Sequence, residues 1–198
     1  MLDTDARQAH AVLGQMHTKS DANDAAMLAD PARTGFYRKV EVKSRHAQER
    51  RALLAARDAA IGARRNAENT IRALLASFGL RVPAQPRTYE GRIHAALEGH
   101  DALAPIILPL LAVRTEALRQ AAALTKEQVR QVKVSDACMR LMTVPGAGTV
   151  TAATFVATIA APGRFAKSRS AGAYAGLTSR RHRSGAIDYG GRISKHGD

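Results

Sequence analysis

Tryptophan is absent from this chain and cysteine occurs once, at Cys138. A single thiol excludes an intrachain disulfide and a thiol cluster for zinc. Cys138 stands beside Met139 and Leu141 and reads as a small core residue rather than a reactive thiol. Four Phe and four Tyr leave little aromatic material for a core, so alanine-rich helical faces must make most of it. No apolar run reaches the roughly 18 residues that a membrane helix needs. The opening MLDTDARQAH lacks the basic and apolar regions of a signal peptide. The seven histidines never fall at i, i+4 beside a carboxylate, so no His-based metal site is expected. These absences fit a cytoplasmic protein.

Positive charge is abundant. Lys and Arg number 30 against 17 Asp and Glu, a formal net charge of +13. Such a balance points to a polyanionic partner, nucleic acid first and an anionic membrane surface second. The charge is uneven. Residues 1–30 hold five acids (Asp3, Asp5, Asp21, Asp24, Asp30) against Arg7 and Lys19. Residues 33–65 hold ten bases against three acids, and 164–198 hold eight against two. Acids repel the phosphates that the basic segments would attract, so the acidic start needs its own explanation.

With 198 residues the chain suits one domain, or two small ones joined by helices. Ser20 is a good N-cap, with Asp21 in the first turn of the helix that follows. Asp21 and Asp24, at i and i+3, share one face of that helix. PARTGFYRKVEV is expected to break the helix and lead into a short extended piece around 37–42. From Ser44 to about Phe78 there is no proline, and Ile71, Leu74, Leu75 and Phe78 give a helical stripe closed by Gly79. RVPAQPRTYEG reads as a loop. A second long helix is expected over about 106–132, its start set or kinked by Pro105 and Pro109. In it Leu103, Leu110, Ala117 and Leu124 recur every seven residues, with Ile107 and Ala121 between them. That spacing fits a coiled-coil-like antiparallel pair or an ordinary helical hairpin.

LMTVPGAGTVTAATFVATI has the form of a helix-hairpin-helix: an apolar lead, a turn at Pro145, Gly146 and Gly148, then a small-residue helix. Glycines there allow positive φ and close backbone approach. The N-terminal amides of the next helix could hold a phosphate. The alternative is a plain turn between two helices. After a further loop and a helix carrying Ala171, Ala173 and Ala175, Ser184 lies among Arg180, Arg181, His182 and Arg183. A serine so placed is either a solvated loop residue or a nucleophile toward a phosphodiester held by guanidinium groups.

Taken together, KSDANDAAMLA (19–29), MTVPGAGTVTA (142–152), RFAKSRSAGAYAGLTSRR (164–181), Ser184-Gly185 and GRISKHGD (191–198) resemble, in order, the signatures of the insertion-sequence 110 family of transposases, the DEDD transposases related to the Piv and MooV invertases. The resemblance implies a mainly α chain in three parts. Residues 1–43 would be the end of a RuvC-like α/β domain, 44–135 a helical, coiled-coil-like spacer, and 136–198 a helix-hairpin-helix transposase domain. It implies DNA transposition through a serine and Mg²⁺, with Ser184, Asp21 and Asp24 catalytic and the two acids binding the metal. Gly146, Gly148, Thr149, Arg180, Arg181, Arg183 and Lys195 would bind nucleic acid. DNA, a structured bridge RNA and further copies of the chain are the implied partners, and a nucleoid-associated bacterial setting the implied location.

The departures from the family pattern are few. Thr178-Ser179 replaces a common Thr-Pro, which should alter only a turn. The family's first Asp and its Glu match nothing here, and its C-terminal helices have no counterpart after SKHGD. The resulting expectation is a fragment truncated at both ends, holding Mg²⁺ weakly and inactive in cleavage. The alternative is a non-catalytic DNA- or RNA-binding module that competes with an intact transposase.

Overall fold

The computed structural model describes residues 5–15, 20–37, 40–83, 88–185 and 187–194, apart from the side chains of Arg7 and Arg180. It is mainly helical, with one two-stranded sheet. The chain divides after Ser44 into two compact units, 1–44 and 45–198.

The first unit packs α1 (Ala6–Leu13) on α2 (Asp21–Thr34). Ser20 caps α2 as expected: its backbone is extended and its hydroxyl accepts from the Asn23 amide at 3.3 Å. The helix ends within PARTGFYRKVEV as expected, but past its proline: α2 runs through Pro31 and closes at Gly35, whose φ is +72°. Proline removes one amide donor from the helix ladder, at a cost of about 3 kcal/mol in a helix interior. The Thr34 hydroxyl donates to the Asp30 carbonyl at 2.8 Å and so satisfies one acceptor near the end of the helix. No residue of α2 is buried. Of the short extended piece expected around 37–42, residues 38 and 39 lie outside the described residues, and Val40 to Val42 are assigned to neither helix nor strand.

The second unit is built on two long antiparallel helices, α3 (Arg45–Ala76) and α5 (Ala104–Lys133), linked through α4 (Tyr89–Leu97). At 32 residues α3 is about 48 Å long. It ends in two reverse bonds, Leu80 N–H to Leu75 O and Gly79 N–H to Ala76 O, both 3.0 Å, with Gly79 at φ +77°. This is the double-bonded glycine stop, and the half-buried Leu80 packs back on the core. Phe78 does not join the expected stripe, because it follows the last helical turn and is 59% exposed.

Helix α4 begins inside the stretch read as a loop. Tyr89, Ile93 and Leu97 recur every four residues and face one core with Ile71, Leu75, Leu103, Ile107 and Leu111. Truncating Ile93 or Leu75 to Ala in such a core costs about 2–5 kcal/mol. A second core is made of smaller residues: Val132, Cys138, Ala152 and Ala153. Cys138 is buried there, as the sequence suggested.

Between the two cores the seam of α3 and α5 is polar. Glu68 accepts from Arg114 at 3.1 Å and from Arg64 at 2.9 Å. The Tyr89 hydroxyl donates to the Glu68 carbonyl at 3.1 Å, and the Arg114 guanidinium lies 4.9 Å from the Tyr89 ring centre. Burial first, and the Glu68 charge second, push the Tyr89 phenol above its usual value. Farther along, Arg57 Nε donates to Thr125 Oγ1 at 3.0 Å. A cavity of about 10 Å³ then opens between Arg50, Gln128 and Cys138. Ile107, Arg114, Ala121 and Gln128 are all buried and lie seven residues apart. On the solvated face, Glu116 and Glu127 are each lowered to about 2, mainly by hydrogen bonds from Arg119 and Arg130.

Candidate nucleic-acid interface

Helix α6 (Asp136–Leu141) and helix α7 (Thr149–Ile159) are joined by a glycine turn. Gly146 has φ +85°, a backbone that side chains other than glycine's adopt at a cost of about 1–2 kcal/mol. Ala147 N–H closes the turn on Val144 O at 3.0 Å. Gly148 is the N-cap of α7 and has no side chain to satisfy the first-turn amides. Thr149, half-buried, begins the helix, while Ala152, Ala153 and Ala157 anchor its inner face. Gly146, Gly148 and Thr149 thus meet at one helix start, where amides face an exposed turn and the helix dipole favours an anion.

Beyond α7, the Arg164 guanidinium lies 4.5 Å from the Phe165 ring centre and 4.2 Å from that of Tyr174, and the two rings meet edge to face. This cluster ties the turn at Pro162–Arg164 to α8 (Ser168–Tyr174). Gly176, at φ +72°, redirects the chain into β1 (Ser179–Ser184), which pairs antiparallel with β2 (Ile187–Ile193). At the base of this ribbon Ser194 N–H donates to Thr178 O at 2.8 Å, and the Ser194 hydroxyl donates to Gly176 O at 3.2 Å.

Ser184 closes β1 opposite Ile187, next to Gly185 at φ +57°. The two strands correct the expectation of a solvated loop around Ser184 and add a ribbon to the α domain that the resemblance implied. The signal was a two-residue turn at Gly185 followed by alternating Ile187 and Tyr189. Ser184, Arg181 and Arg183 are all exposed on β1. Arg181 Nε donates to Asp188 Oδ1 at 2.8 Å, and its second nitrogen reaches Oδ2. That hydrogen-bonded pair holds the Asp188 carboxyl below its usual value. His182 stacks on Tyr189 with ring centres 5.1 Å apart and planes 12° apart. Sequence reading singled out neither Tyr189 nor Asp188. Lys195 and the Arg180 side chain lie outside the described residues.

Asp21 and Asp24 occupy the first turn of α2, Asp21 exposed and Asp24 half-buried. Asp24 Oδ1 is enclosed and accepts no hydrogen bond among the described residues. Mg²⁺ takes six oxygens in a near-octahedral shell. Two carboxylates from one helix supply part of it, and no group of three or more His, Cys, Asp or Glu gathers among the described residues. The residues described do not make up a metal site on their own. No helix among them is long and apolar enough to cross a membrane.

The glycine turn with its open helix start and the exposed serine on an arginine-bearing ribbon lie in the same unit. The family model described as "Transposase IS116/IS110/IS902 family" matches residues 138–198, and a second, DEDD-type model described as "Transposase" matches 4–79. The "Transposase for insertion sequence element IS1111A" of Coxiella burnetii is 31% identical over 91% of this chain and 51% of its own length. The "Probable family 20 transposase" of Pseudomonas aeruginosa is 31% identical over 91% and 55%. The "Transposase for insertion sequence element IS1328" of Yersinia enterocolitica is 28% identical over 91% and 54%. This chain belongs to the IS110 family of insertion-sequence transposases. It spans about half the length of the curated relatives it matches.

Proposed function

We propose that this chain acts in insertion-sequence DNA transposition by gripping DNA through the α6–α7 turn and presenting Ser184 to a phosphodiester. The observation that carries this reading is the exposed Ser184 hydroxyl at the tip of an arginine-bearing ribbon. The α6–α7 segment acts as a helix-hairpin-helix, its Gly146, Gly148 and Thr149 amides binding backbone phosphate without reading sequence. Arg183, with Arg180 and Lys195, supplies the cations, and Arg181 is oriented by Asp188. In the chemical step Ser184 Oγ bonds to phosphorus, the bond from phosphorus to one deoxyribose oxygen breaks, and the hydroxyl proton leaves to that oxygen or to solvent. The product is a phosphoserine link to one DNA end. The α/β character of a RuvC-like domain, a role for Asp21 and Asp24 as part of a Mg²⁺ ligand set, a bridge RNA partner and self-association belong to the same reading.

The second reading is a binding module without cleavage. It is favoured by the described residues, which bring no third His, Cys, Asp or Glu to Asp21 and Asp24. One experiment separates the two. The chain is incubated with element-end DNA and Mg²⁺, with and without a structured RNA, and resolved on a denaturing gel. An adduct that Ser184→Ala abolishes supports the first reading. Salt-dependent binding with no adduct supports the second.

A further inference from the structure

The ribbon is bare. Every residue of β2 is exposed, and a two-stranded ribbon with nothing on its faces is marginal in water. Strand alternation puts His182 and Ser184 on one face, together with their cross-strand partners Tyr189 and Ile187. Among the described side chains that face holds no Asp, Glu, Lys or Arg. It presents two nearly parallel rings, with Tyr189 59% and Ile187 60% exposed. The rings stand one step along the ribbon from the serine hydroxyl. The ribbon also carries exposed Arg183 and Arg192, so its charge suits a nucleic-acid backbone while this face suits something flat and uncharged.

We propose that His182 and Tyr189 form a stacking platform for one unpaired nucleobase of DNA, next to the phosphate that Ser184 faces; this rests on the serine reading above. A base offers a π-face whatever its sequence, so such a platform positions the strand without selecting it. Stacking holds the nucleotide beside Ser184, and Ile187 covers the sugar edge. The aromatic pair is a positioning device and takes no part in bond exchange.

The test uses the full chain and two labelled single-stranded DNA oligonucleotides of equal length and charge, one intact and one with abasic sites. The wild type is expected to bind the intact strand at least about fivefold more tightly. The double variant His182→Ala/Tyr189→Ala is expected to bind both strands alike, and Tyr189→Phe, with His182 kept, to restore the preference. Thermal unfolding of each variant checks that the ribbon change leaves the helical unit intact. Equal binding of both strands by the wild type, still salt-dependent, overturns the platform and leaves the backbone grip standing. A double variant that keeps the preference also overturns it. A preference seen only with the matching RNA strand overturns the assignment to DNA. Absence of binding to any strand removes the platform and the DNA-binding reading together.

Discussion

Arg114 on α5 and Glu68 on α3 meet 3.1 Å apart, with Arg114 only 4% and Glu68 17% exposed. The pair ties α3 to α5 between buried Ala67 and Ile71 on one helix and Leu111 and Ala117 on the other. Arg64 shares the same carboxylate from its more open side.

Removing the acid should be worse than removing either base. Glu68→Leu leaves Arg114 buried without its counter-charge, which costs about 3–5 kcal/mol. Arg114→Met leaves Glu68 with Arg64 and should cost less. The double variant Glu68→Leu/Arg114→Met should recover much of the loss. Urea denaturation of the three variants measures this order; a Glu68→Leu cost below that of Arg114→Met would contradict it.

Gln128 points the other way. It is 2% exposed and neither amide atom makes a hydrogen bond among the described residues. An unsatisfied buried amide costs about 1–3 kcal/mol. Gln128→Met should therefore hold or raise the thermal midpoint. A clear fall would mean that the amide is satisfied in solution.

Gly146 is needed for its backbone, since nothing stands within 4 Å of where a Cβ would be. Gly146→Ala should cost about 1 kcal/mol, through the left-handed conformation alone. The same change should weaken DNA binding, because it tilts the start of α7. Ala147→Gly, in the same turn but at negative φ, serves as the comparison in both assays.

The ribbon should loosen in acid. The Asp188 carboxyl is held below its ordinary value by Arg181, so the stability that this pair gives is present above pH 3.8 and is lost as pH falls through the lower folded value. An NMR titration of the Asp188 carboxyl in Arg181→Ala should return its midpoint toward 3.8. Glu116 and Glu127 should keep their charge down to about pH 2, until their arginine partners are removed.

Local features were legible without coordinates. The Ser20 cap, the Gly79 stop, the glycine turn before α7, the buried Cys138 and the two long helices follow from side chains acting on their own or the adjacent turn. Three features were not. Helix α4 hides behind the Pro-rich stretch, and only its fit against Ile71 and Ile107 gives the Tyr89, Ile93 and Leu97 spacing meaning. Pro31 reads as a breaker, yet α2 continues past it. The ribbon around Ser184 carries so many charges that it reads as loop.

The sequence alone settled the helical character, the cationic balance, the absence of an intrachain disulfide and the glycine turn at Gly146. These depend on composition and on contacts within a turn. Only the tertiary structure decided which residues of α5 face inward. Leu103 and Ala117 of the line 103, 110, 117, 124 are buried, and so is the whole line Ile107, Arg114, Ala121 and Gln128, which includes two polar side chains. Arg114 is tolerated there because α3 brings Glu68 to meet it from 46 residues away. The stacking of His182 on Tyr189 likewise exists only once β2 folds back on β1, since cross-strand partners are neighbours in space and not in sequence.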